Sequence, residues 1–122
     1  MATQTVGELQ RQVMEAHFAN YFKDMQRRVH EIAVSKGWWE SDRNDAECIA
    51  LIHSEVSEAL EGLRKPKPDE HCPEFRSVEV ELADAIIRIM DLAGARGWDV
   101  AGALVAKAAF NETRPHKHGK KF

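Results

Sequence analysis

The sequence predicts an all-α protein, a four-helix-type bundle, from three observations. Apolar residues recur every three or four positions, strand-like alternation never persists, and Gly, Pro and capping residues divide the chain into four such runs. With 122 residues, 43% of them hydrophobic and 30% charged, a single soluble domain over 1–122 is expected, ending in a basic tail at 113–122.

The first run opens at Thr5, which with Glu8 three residues later has the form of a capping box. Phe18, Phe22, Met25, Val29 and Ile32 then follow helical spacing up to Gly37, as one helix or a broken one. After GWWESDRND, where Ser41, Asp42 and Asn44 are all suitable caps, a second helix is expected to reach about Arg64. There KPKPDEHCP removes backbone donors and disfavours helix. Pro73 is suited to open the third helix as its first residue, with Gly94 or Gly97 ending it. Asp99 caps a fourth that stops before Pro115.

Composition narrows the function classes. No apolar run approaches membrane length, and MATQTVGELQ lacks the basic-then-apolar pattern of a secretory signal, so a cytoplasmic protein without a membrane partner is expected. Cys48 and Cys72 lack metal-type spacing and are expected to be reduced and structural. The net charge of −3 divides into −7 over residues 1–106 and +4 from Lys107 onward. The tail lacks the interleaved aromatics of a nucleic-acid binder and the acidic body would repel a polyanion, so no polymeric nucleic acid is expected. A small anion held between tail and metal fits better.

Two acidic pairs set the chemistry. Glu55 and Glu58 lie one turn apart on the second helix, where Glu55 is flanked by apolar residues on both sides. Glu81 and Asp84 repeat the arrangement on the third, whose polar strip is narrow: Ser77, Glu81, Asp84, Arg88 and Asp91. Either all four acids are solvated surface, or the two helices are antiparallel neighbours whose strips converge. Convergence in a partly dry site requires a cation, and hard oxygen ligands favour Mg²⁺ or Mn²⁺. A di-iron carboxylate bundle is the competing metal protein, although it normally uses Glu-x-x-His pairs and position 84 is Asp.

With 22 residues between the pairs, this Glu-x-x-Glu and Glu-x-x-Asp pattern resembles that of the MazG-like all-α nucleoside triphosphate pyrophosphohydrolases. KGWW before the second helix and KAAFNETRP near the C-terminus extend the resemblance over roughly residues 25 to 118. The resemblance implies magnesium-dependent hydrolysis of a nucleoside triphosphate, deoxynucleotides included, to the monophosphate and pyrophosphate, in nucleotide-pool housecleaning. It implies Glu55, Glu58, Glu81 and Asp84 as metal ligands; one of the four can accept the water proton, and Glu55 is the candidate for that role. Lys107, Asn111 and Arg114, matching Lys-x-x-x-Asn-x-x-Arg, are implied donors to the β and γ phosphates. Similarity to the dCTP pyrophosphatase branch implies His30 and Trp39 as base-binding residues, Trp39 standing sixteen residues before Glu55 and His30 nine before Trp39. Trp38 is then the packing member of the pair, and His53 is structural. Arg88 stands where that branch tends to have Tyr, which leaves base and sugar preference open. The small size and the nearly all-round apolar third helix point to a homodimer or homotetramer. The rival readings are a noncatalytic helical oligomerisation module and the di-iron carboxylate protein.

Overall fold

A computed structural model of the chain describes residues 3–122, so Met1 and Ala2, which begin the stretch read for a signal, lie outside the described residues. The chain is all-α: helices α1 (Val6–Ser35), α2 (Asp45–Arg64), α3 (Ser77–Arg96) and α4 (Val100–Glu112), followed by a 3-10 turn at His116–Gly119. Among the described residues there is no strand, only an isolated bridge between Pro68 and Arg76. Among them, no helix is long and apolar enough to cross a membrane.

Local chemistry explains the boundaries. At the start of α1 the Thr5 amide donates to Glu8 Oε2 at 2.7 Å and the Glu8 amide to Thr5 Oγ1 at 3.1 Å, the reciprocal capping box. The helix then runs unbroken to Ser35. Of the three candidate caps before α2, Asn44 acts, its side chain accepting from the Ala46 and Glu47 amides. Asp99 caps α4 by accepting from the Gly102 amide at 2.9 Å. Gly97 ends α3 at φ 71°, a left-handed conformation that any Cβ would strain.

The third helix departs from expectation: it starts at Ser77, and Pro73 belongs to the preceding loop. Asp69 is the physical reason. Its buried carboxylate accepts from the His71 and Cys72 amides, both at 2.9 Å, and its own amide donates to Phe75 O. The Ser77 amide donates back to Lys67 O, so residues 67 to 77 form a closed loop before helix geometry begins.

The chain divides into two units, residues 1–25 with 98–122 and residues 26–97. In the first, the N-terminal part of α1 runs antiparallel to α4, with ion pairs Arg11–Glu112 and Lys23–Asp99 at its two ends. In the second, α2 and α3 form an antiparallel hairpin and the C-terminal part of α1 packs on α3. A Cβ at Gly62 would lie 3.1 Å from the Val78 backbone, and one at Gly94 3.1 Å from His30 Cβ. Both glycines therefore mark close helix approaches. Cys48, Ala59, Ala85, Met90, Leu92 and Ala93 are the buried apolar residues of this unit. Cys48 and Cys72 are both free thiols.

Candidate metal and anion site

The antiparallel hairpin brings three of the four predicted acids together. Glu55, Glu81 and Asp84 each offer a carboxylate oxygen within 4.8 Å of the others, and all three are half-buried. Glu58, one turn further along α2, is exposed and outside this group. It lines a separate cleft of about 300 Å³ with Glu81, Glu61, Lys65 and Lys67.

Three carboxylates this close cannot all stay ionised without help. Burial raises the Glu81 carboxyl above its usual range, with Asp84 repelling its charge and a hydrogen bond to Glu55 favouring the protonated form. Asp84 is also raised, first by burial and then by Glu55, while Arg88 acts in the opposite direction. Arg88 Nε donates to Glu55 Oε1 at 2.6 Å, a charge-assisted bond in a partly buried setting. The cluster therefore already draws one cation to itself. Its donor set, carboxylate oxygens alone, is the one Mg²⁺ and Mn²⁺ prefer, so a hard divalent cation fits these residues.

Glu55 and Asp84 open onto a cleft of about 290 Å³ within the same unit. Lys36, Arg43 and Arg88 supply its positive charge and Val29, Ile32 and Trp38 part of its apolar wall. Such a volume lies at the small end of ligand sites, where a few polar groups fix the orientation of a mostly apolar-lined guest.

His30 and Trp39 are brought together, though not onto this wall. Both bond to Asp91: His30 Nδ1 donates to its Oδ1 at 2.8 Å and Trp39 Nε1 donates to the same oxygen at 2.9 Å. The two rings meet edge to face at 5.5 Å. Trp38, expected to pack, is the exposed tryptophan of the two. His53 is exposed.

No family model, curated protein or solved structure matches the chain.

Lys107, Asn111 and Arg114 belong to the other unit. Lys107 and Asn111 are on α4, whereas Arg114 follows the Thr113 cap, its amide donating to Asn111 O. Lys107 Nζ and the Arg114 guanidinium both lie over the Phe110 ring, at 4.7 and 5.6 Å from its centre. These cation–ring contacts hold two of the three predicted phosphate donors near one another.

Sequence reasoning gave no part to Asp91, Arg43 or the Arg88–Glu55 pair. Asp91 had a signal, since it lies on the narrow polar strip of α3 one heptad after Asp84. Arg43 lies in the loop before α2, where no periodicity applies, and nothing in the sequence marks it.

Proposed function

We propose that the protein is a cytoplasmic nucleoside triphosphate pyrophosphohydrolase, using Mg²⁺ or Mn²⁺, that serves nucleotide-pool housecleaning. The observation that carries this reading is the convergence of Glu55, Glu81 and Asp84 beside a cleft lined by Lys36, Arg43 and Arg88. An acid cluster that a cation would neutralise, next to positive side chains, suits a phosphate chain, in which anionic oxygens lie near both. The paired acidic motifs, which resemble those of the MazG-like enzymes, support the same reading.

In this reading Glu55, Glu81 and Asp84 hold the cation, with Glu58 supplying a further carboxylate from the next turn. When bound, the cation would neutralise phosphate oxygens and acidify water. Glu55 accepts a proton from the attacking water, the oxygen bonds to the α-phosphorus, and the bond from that phosphorus to the bridging oxygen breaks. Pyrophosphate leaves as a unit. Lys36, Arg43 and Arg88 orient the anion in the cleft, and Lys107, Asn111 and Arg114 are the donors that the sequence pattern assigns to the β and γ phosphates. Deoxynucleotides are included among the substrates, and the working form is a homodimer or homotetramer.

The test is a panel of ribo-, deoxyribo- and modified triphosphates with Mg²⁺, assayed for pyrophosphate in ¹⁸O-labelled water. Label in the monophosphate and none in the pyrophosphate is expected. Label in pyrophosphate would move the attack to the β-phosphorus, and release of inorganic phosphate alone would move it to the γ.

A further inference from the structure

Trp38 and Trp39 are neighbours in sequence with opposite surroundings. The polar group of Trp39 is spent on Asp91 at 2.9 Å, and the same carboxylate oxygen accepts from His30 at 2.8 Å. Trp39 is half-buried and is not part of the 290 Å³ cleft. The Arg43 guanidinium lies over the Trp39 ring at 4.8 Å and over the Trp38 ring at 5.6 Å, while its Nη1 is 3.6 Å from Asp91 Oδ2. Asp91 thus fixes Trp39, and Asp91 and Trp39 together fix Arg43 against Trp38.

Trp38 ends this stack. It lines the cleft and is 56% exposed. An indole held in place with more than half of its surface in water leaves a large apolar plane unburied, and covering that plane is favourable in proportion to its area. The same cleft is also lined by Lys36, Arg88, Glu55 and Asp84, so a purely apolar guest would strip water from charged groups without replacing its hydrogen bonds. A flat ring with an anionic tail meets both requirements.

We infer that Trp38 is the surface on which the planar base of the nucleotide stacks, and that His30, Trp39 and Asp91 are positioning residues that hold Arg43 and the Trp38 plane. This inference rests on the nucleotide reading of the cleft. It assigns the stacking role to the tryptophan that the sequence pattern passes over, and it makes the site tolerant of base identity, because every base offers a ring face.

The experiment measures binding of α,β-imido nucleoside triphosphates carrying each of the four DNA bases, with Mg²⁺, by calorimetry on the full chain. Inorganic tripolyphosphate serves as the probe without a ring. Trp38→Ala is expected to weaken nucleotide binding roughly 5- to 150-fold for all four bases, the range for losing one aromatic stacking partner. Tripolyphosphate affinity should stay unchanged, Trp38→Phe should retain most of the nucleotide affinity, and Trp38→Leu should behave like Trp38→Ala. Trp39→Phe should lower the melting temperature more than Trp38→Phe does. Wild-type nucleotide affinity in Trp38→Ala would overturn the stacking role while leaving the nucleotide reading intact. Equal retention by Trp38→Phe and Trp38→Leu would also overturn it, since a leucine has no ring face. Failure of the wild-type protein to bind any of the four nucleotides would overturn both.

Discussion

Glu81 and Asp84 carry the most informative electrostatics of the molecule. Both carboxyls are raised, Glu81 by burial and then by Asp84, Asp84 by burial and then by Glu55. A raised acid binds more protons folded than unfolded between its ordinary value and its folded one, so metal-free stability must fall as pH rises through that window. A cation on the cluster reverses the preference, because it favours the ionised form. Its affinity should therefore climb with pH across the same window and level off above it. Melting curves against pH, in EDTA and in saturating Mg²⁺, should diverge as pH rises. A ligand at about 100 times its dissociation constant adds about 2.7 kcal/mol at the upper end. Glu81→Gln should reduce the metal-free decline, because it removes one raised acid, and should lower turnover by orders of magnitude. Superimposable curves with and without Mg²⁺ at every pH would show that the cluster binds no divalent cation.

The elements themselves show which signals are readable in a sequence and which are not. Thr5 with Glu8 and Asp99 act within a few residues of their own position, and their identities mark the starts of α1 and α4, whereas Asn44 is one of three candidate caps for α2 and Gly97 one of two candidate stops for α3. Convergence of the acids stands in the sequence as one of two alternatives, because helical spacing fixes a face but not what that face meets, and three of the four acids, without Glu58, come together. Pro73 misled because Asp69 captures two amides and holds the chain in a loop until Ser77, and a side-chain capture of this kind competes with helix start without any periodic signature. The division of labour between Trp38 and Trp39 was not legible either, since it is decided by Asp91, 52 residues from Trp39. Close packing of α2 on α3 yields a test at this scale. Replacing Gly62 by Ala gains roughly 1 kcal/mol of helix propensity. The new Cβ, however, would sit 3.0 Å from Ser77 Oγ and 3.1 and 3.2 Å from the Val78 backbone N and Cα. Backbone cannot swing aside as a side-chain tip can, and overpacking of this kind costs about 1 to 3 kcal/mol. Gly62→Ala should therefore lower the melting temperature, by thermal denaturation against wild type. A higher melting temperature would mean that α3 shifts freely away from α2.

At the scale of the whole molecule, the apolar residues left uncovered matter more than those buried. No large side chain is fully buried among the described residues, while Ile49, Val56, Leu60 and Leu63 on α2 and Leu82 and Ile86 on α3 are exposed. Their three- and four-residue spacing makes a stripe on each helix, and at roughly 100° per residue the antiparallel pairing turns both stripes to the side of the hairpin away from Glu55, Glu81 and Asp84. Six half-exposed aliphatic side chains on one face form a patch on the order of several hundred Å², the size of the largest, often functional, patch of a typical monomer and approaching one side of a standard interface. A second hairpin can cover it, as two-helix layers pack into four-helix arrangements with side chains interlocked. Light scattering at micromolar concentration should therefore give a mass of two or four times the 13.8 kDa chain. Val56→Glu with Leu60→Glu places two charges in the centre of that face and should shift the protein to monomer, with Mg²⁺ binding retained because the acids lie on the opposite side. A wild-type protein that scatters as a 13.8 kDa monomer would show that the stripe is not an interface between copies.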